Sequence, residues 1–271
     1  RGRDRSRLRG IVEMLALTFL VGCIHLPSQG APNHVGPPES ALIGWRLVPG
    51  QELSYKHTVR LLRGDSEVAR TESWVYLVRE VSPSGEALLQ GRLTGLGTLV
   101  REDRSLLSGA SRARVEERER ERLEKSSVWI RMSTDGHVSS VSGLSWEDAL
   151  PHRALGLVFP KDPVRVGMTW PNPESLAPYR NLVPSNAESV PSGQTQLVGF
   201  YAKNGSVFAA LEFEGQIQTG SDDLPQIETQ GEAQWDLMTG QLYEQSQRVS
   251  LSQYSEAFGG LLMIETRRQP Q

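Results

Sequence analysis

The chain has 271 residues, 38% of them hydrophobic, a formal net charge of −3 and a single cysteine. That length can bury a sizeable core, as one large β domain or two small ones. Acids balance bases, which sets nucleic-acid binding aside, and a lone cysteine closes no internal disulfide, so an exported form must rely on its core.

Residues 1–22 read as an export signal. Arg1, Arg3, Arg5, Arg7 and Arg9 precede a mostly apolar run from Ile11 to Val21. The run is shorter than the roughly 20 residues a bilayer crossing takes. It ends in Leu20-Val21-Gly22-Cys23, which resembles the lipobox of bacterial lipoproteins. The resemblance implies that residues 1–22 are removed and that Cys23, then the first residue, is acylated. The membrane is thus an expected partner, reached through N-terminal acyl chains. Each buried CH₂ contributes about 0.8 kcal/mol, so two or more chains hold where one is marginal. Ile24, in place of Asp, favours the outer membrane, with the body facing the periplasm. The segment removed carries five arginines against Asp4 and Glu13, which leaves the body close to −6.

Residues 23–41 read as the lipidated cysteine and a flexible tether. Pro27, Gly30, Pro32, Gly36, Pro37 and Pro38 break regular structure there. From residue 42 strand signals dominate, and 42–142 forms a first β-rich half. Leu53, Tyr55, His57, Val59 and Leu61 alternate with polar residues, the period of a half-buried strand. A second strand is expected over Val68–Val81 and a third over Ala87–Leu93. The Gly91–Gly97 stretch lacks the lysine and helix entry of a phosphate loop and reads as a strand with a bulge or close contact. Arg112–Lys125 is either a charged helix, with Glu121 and Lys125 at helical spacing, or a solvated ribbon.

Residues 143–162 read as a helical connector. Ser145 can cap a helix spanning up to Phe159, which Pro151 is expected to split and Pro160 to end. The second β-rich half is 163–271, where Asn204-Gly205 marks a hairpin. Leu77–Ala87 can be laid on Leu197–Val207 without a gap, with Gly95 then on Gly215, and Trp129–Gly136 resembles Trp235–Gly240. These matches point to an internal duplication. Pro163-Val164-Arg165-Val166-Gly167-Met168-Thr169-Trp170 resembles the Pro-Val-x-Val-Gly-x-x-Trp segment of uncharacterised exported β-rich bacterial proteins, which implies architecture and no activity. In local terms Pro163 sets an extended entry, Gly167 permits a bulge or turn, and Trp170 anchors a strand. The expected fold is all-β with minor α. Its mainly antiparallel curved sheet, a half-barrel or barrel, is built from two related β-meander halves with one short helix between them.

No catalytic or metal constellation emerges, and no cofactor is implied. His25, His34, His57, His137 and His152 show no ligand spacing, and no Gly-x-Ser-x-Gly elbow occurs. His57 reads as a packed or surface histidine, and Asp222-Asp223 as a polar loop. Aromatic residues including Trp45, Tyr55, Trp74, Tyr76, Trp170, Phe213 and Trp235 read as core or as the lining of an apolar cavity. The expected function is non-catalytic: a membrane-anchored envelope lipoprotein acting as scaffold or interaction protein. The alternative is a carrier or receptor for a lipid or other hydrophobic ligand, by fold-level analogy to eleven-stranded half-barrel carriers. A hydrolase ranks below both.

Overall fold

The structure is a computed structural model. It describes residues 37–63, 66–101, 117, 120, 121, 125, 127–183, 189–219, 226–252 and 260–270. Cys23, His25, His34 and Asp222-Asp223 lie outside the described residues, as do most of the tether and of 112–125. Glu117, Arg120 and Glu121 are helical, and Glu121 pairs with Lys125 at 3.7 Å.

The first meander runs β2 (Glu52–Arg63), β3 (Ser66–Val81), β4 (Glu86–Arg101), β5 (Val128–Ser133) and β6 (Val138–Ser142). The second runs β8 (Thr169–Pro171), β9 (Ser189–Lys203), β10 (Ser206–Thr219), β11 (Gln226–Asp236), β12 (Gln241–Ser252) and β13 (Gly260–Arg268). Together they make one antiparallel sheet of eleven strands, in the order β6-β5-β4-β3-β2-β13-β12-β11-β10-β9-β8. Neighbours in this sheet are consecutive in sequence except at its middle, where β13 pairs with β2 from Leu261↔Leu62 to Arg268↔Tyr55. The sheet is not closed into a barrel. Two short strands, β1 (Ser40–Ala41) and β7 (Val164–Arg165), pair separately.

The sheet wraps around its core. Trp45 donates its backbone N–H to the Thr134 carbonyl and Arg46 to that of Gly240. Those carbonyls belong to the β5–β6 and β11–β12 turns. In a flat sheet β5 and β12 would stand five strand spacings apart, about 24 Å, yet consecutive residues bridge them. The bridging segment is itself alternating: Ile43, Trp45 and Leu47 are buried, while Leu42, Arg46 and Val48 are exposed. It plugs the end of the sheet at which β2 begins.

The strand patterning follows the residues. Leu53, Tyr55 and His57 point inward, and β3 places Glu72, Trp74, Tyr76 and Val78 on the same buried face. The Asn204-Gly205 hairpin forms with both residues at positive φ, 53° and 79°, the backbone a two-residue turn needs. Gly91 packs under the Tyr76 ring, which a Cβ would meet at 3.1 Å. The bulge lies nearby, opposite Ser73 and Trp74.

Two expectations change in detail. Val78 is buried whereas Val198, its counterpart in the gap-free match, is exposed. The β3–β4 loop has four residues and the β9–β10 turn two. The two meanders are laid out alike; in that match the side chains of β3 and β9 fall on opposite faces, the effect of a one-residue shift, while those of β4 and β10 agree, with Leu89 and its counterpart Ala209 both buried. The helix α1 (Trp146–Arg153) keeps Pro151 inside it and ends at Arg153, well before Pro160. A two-turn helix loses one backbone bond to Pro151, and its Ser145 cap accepts from the Asp148 N–H at 3.3 Å.

Candidate functional site

The connector after β6 comprises α1, β7, the edge strand β8 and a 3-10 helix (Pro173–Leu182), and its two helices pack against the inner face of the wrapped sheet. Leu150 and Ala154 of α1 join Leu176 and Tyr179 of the 3-10 helix in one buried cluster with Ile217, Ile227, Val249, Leu262 and Ile264. Trp146 Nε1 donates to the Pro178 carbonyl at 3.2 Å, tying the two helices. Leu176 sits against Gly215, where a Cβ would come within 3.0 Å of it. The larger cluster fills the other end, with Trp45 edge-on to Trp235 at 4.8 Å and Phe159 edge-on to Trp235 at 4.7 Å.

The densest polar chemistry lies where α1 meets β2 and β3. His57 Nδ1 is 3.0 Å from Thr266 Oγ1, and its Nε2 is 2.8 Å from the Tyr76 hydroxyl. The same hydroxyl is 2.7 Å from His152 Nδ1 on α1. One hydroxyl thus joins two imidazoles, donating to one and accepting from the other. His152 Nε2 is buried without a partner. If Tyr76 donates to His57, His152 carries its proton on Nδ1, and the buried orphan is a lone pair. The opposite arrangement buries an unpaired N–H, which is rarer in folded proteins. The first arrangement is therefore favoured.

Burial pushes His57 down to about 3. It pushes His152 well below the ordinary histidine range, helped by His57 and Arg70. Both rings are neutral at physiological pH. Burial, with the nearby Glu72 charge, holds the Tyr76 hydroxyl well above its ordinary value, so it stays protonated.

A charged chain runs beside this one. Trp74 Nε1 donates to Glu72 Oε2 at 2.7 Å, and Arg70 Nε lies 2.5 Å from the other oxygen of Glu72. Arg70 also reaches Asp148 Oδ1 on α1 at 2.7 Å, and Ser145 Oγ donates to Asp148 Oδ2 at 2.7 Å. Both chains fasten the helix to the sheet. The two imidazoles of the first chain are fully buried.

His137 stands apart, 3.9 Å from Glu174 and half-exposed. Beside these two residues is a hollow of only about 10 Å³, scarcely room for one water. The larger hollows lie on the outer face of β9–β12. One of about 490 Å³ is lined by Gln194, Glu212, Glu214, Gln230, Glu232 and Arg248 among others. It adjoins one of about 520 Å³ that shares Gln194, Glu214 and Gln230 and adds Glu228. Glu212 and Glu232 sit directly opposite each other across β10 and β11, a like-charge pairing that costs stability. Among the described residues no group of three or more His, Cys, Asp or Glu could hold a metal ion.

Sequence reasoning placed His57 on a strand but did not join it to His152 and Tyr76. The inward phase of Tyr55 and His57 was the available signal, while the docking of α1 was not legible. No helix among the described residues is long and apolar enough to cross a membrane. No family model matches the chain, and no curated protein is significantly similar to it.

Proposed function

We propose that this protein is a membrane-anchored lipoprotein of the bacterial envelope, acylated at Cys23, that serves as a non-catalytic scaffold or interaction protein facing the periplasm. One observation carries the choice of scaffold over carrier: the hollow of the wrapped sheet is occupied by its own chain. Trp45, Trp74, Tyr76, Phe159 and Trp235 pack one end, and α1 with the 3-10 helix packs the other. A lipid carrier needs an apolar space of several hundred Å³. The two hollows of about 490 and 520 Å³ lie outside and are lined mostly by carboxylates and carboxamides, and one of about 320 Å³, also outside, mixes Glu52, Arg79, Gln90 and Arg92 with Val75, Leu77 and Leu93. The buried polar chains support a structural role, since neither reaches a cleft where a substrate could sit. The outer groove, with Glu212, Glu214, Glu228 and Glu232 against Arg248, suits a partner that presents lysine or arginine.

Native mass spectrometry of the full chain made in a bacterium tests this reading, alongside a Cys23→Ser form. The expected outcome is acyl mass on the first, release of the second from membranes, and no bound lipid on the second. A lipid retained by the Cys23→Ser form would favour the carrier. A full chain without acyl mass, or a Cys23→Ser form that stays with salt-washed membranes as fully as the acylated chain does, would overturn the anchor.

A further inference from the structure

Eight large hydrophobic residues are exposed among the described residues. Five of them, Leu42, Val48, Val166, Met168 and Met238, lie at one end of the sheet. Each is between 37% and 63% exposed. Leu42 and Val48 belong to the plug segment, with Arg46 on the same outward row. That row spans about 20 Å at extended spacing. Met238 adjoins it, since Arg46 Nη1 donates to the Met238 carbonyl. Val166 and Met168 flank the β7–β8 turn, next to the pairing of Ala41 with Val164. The opposite end carries only Leu61 and Val190 of the eight.

Two further features mark the same end. Tyr201 and Tyr243 sandwich Phe208, at 5.4 Å and 5.0 Å, on the outer face near the β9–β10 turn. Lys203 lies over the Tyr243 ring at 5.7 Å. Tyrosines flanked by cations beside an aliphatic patch are what a bilayer interface accommodates. Ser40–Ala41, immediately before the plug segment, pairs with β7 at this end.

From these we propose that the end of the sheet bearing Leu42, Val48, Val166, Met168 and Met238 rests on the lipid surface to which the protein is anchored. The occupant is the bilayer interface, and the outer groove on β9–β12 is left facing away from or along the membrane. This rests on the lipid-anchor reading and deepens it. The anchor then fixes orientation as well as location, because Ser40–Ala41, which follows the anchor in sequence, pairs at the end that touches lipid.

The test places a single fluorophore. When Cys23 carries its acyl group, a cysteine at Met238→Cys or Val190→Cys is the only free thiol in the chain. Each full-length protein is labelled with an environment-sensitive dye and reconstituted in vesicles of phosphatidylethanolamine and phosphatidylglycerol. The expected result is a blue shift and a severalfold gain in emission at 238, with little change at 190. Equal signals at both sites, or none at 238, would overturn the proposal. A missing acyl mass would instead sink the anchor. The face is then judged on the Cys23→Ser chain, with and without Leu42→Ser, Val48→Ser and Met238→Ser. These substitutions should weaken vesicle binding at least about tenfold; unchanged or absent binding by the parent would again overturn it.

Discussion

Tyr76 is the residue on which the interior chemistry turns. Its hydroxyl is the shared partner of His57 and His152, so Tyr76→Phe strands a ring nitrogen on each, beside the already unpaired Nε2 of His152. Each stranded buried group costs about 1–3 kcal/mol. The variant should lose about 2–4 kcal/mol of stability in urea titrations; a loss below half a unit would mean that water or a rotated ring repairs the gap. The histidines make a second, sharper statement. A free histidine titrates near 6.5, whereas His57 is held down to about 3. The unfolded chain therefore binds the extra proton between those values. The contribution of His57 is complete above about pH 6.5 and fades as pH falls toward 3, at up to about 1.4 kcal/mol per pH unit. His152 has the same sign. The imidazole carbon resonances of both residues should stay flat from pH 8 to pH 5. A titration near 6.5 in the folded protein would show that the rings are open to solvent.

The connector shows how short elements are held. α1 has eight residues, too few to persist alone, and its docking rests on the Arg70–Asp148 pair and on Tyr76–His152. Arg70→Ala removes the cation between two buried carboxylates, Glu72 and Asp148, and should cost about 3–5 kcal/mol, with faster hydrogen exchange in α1 as the local sign. Unchanged exchange in α1 would show that apolar packing alone seats the helix. Glycines give a contrast within one half. Gly136 has φ +92°, and a Cβ there would lie 1.7 Å from the Leu157 carbonyl oxygen. Gly97 has open space around its Cβ position. Gly136→Ala should therefore abolish the soluble fold, while Gly97→Ala should leave the melting temperature nearly unchanged or slightly raised, since replacing a strand glycine adds up to about 1 kcal/mol. Equal behaviour of the two would refute the account of the turn.

These elements divide by how far their causes lie along the chain. The alternation of β2, the Asn204-Gly205 hairpin, the Ser145 cap and the Gly167 turn at φ +83° are local, and all could be read from neighbouring residues. The Trp170 anchor was likewise legible, and its Nε1 donates to the Val158 carbonyl at 2.8 Å. What was not legible is long-range. Nothing near His152 in sequence announces Tyr76, 76 positions away. The 3-10 helix carries Pro173 and Pro178 and no capping side chain, so it reads as loop until Tyr179 is seen to reach Gln247 at 2.9 Å. Pro151 misled because a proline breaks a helix only where its neighbours do not hold it.

At the scale of the whole molecule, the sheet is a single meander cut open between β6 and β8 and sealed between its last strand and its first long one. β13 supplies Thr266 to His57. Its end is clipped to the β11–β12 turn, where Arg268 meets Asp236 at 3.0 Å. A chain ended at residue 259 would expose the facing edges of β2 and β12 and should lose cooperative unfolding and resistance to protease. Retained resistance in such a chain would show that the two meanders stand independently.

The β13–β2 seam also sets a clock. A chain made N-terminus first offers β2 early, but β13, which must lie beside it, is the last strand of the sheet. Hairpins can zip locally as they emerge, whereas the central pairing waits for β13 and pays the entropy of closing the long stretch between β2 and β13. Until then two half-sheets have open edges that could join the wrong neighbour. Closure of the sheet is thus gated by the arrival of β13, and chaperone demand should peak in the interval just before it.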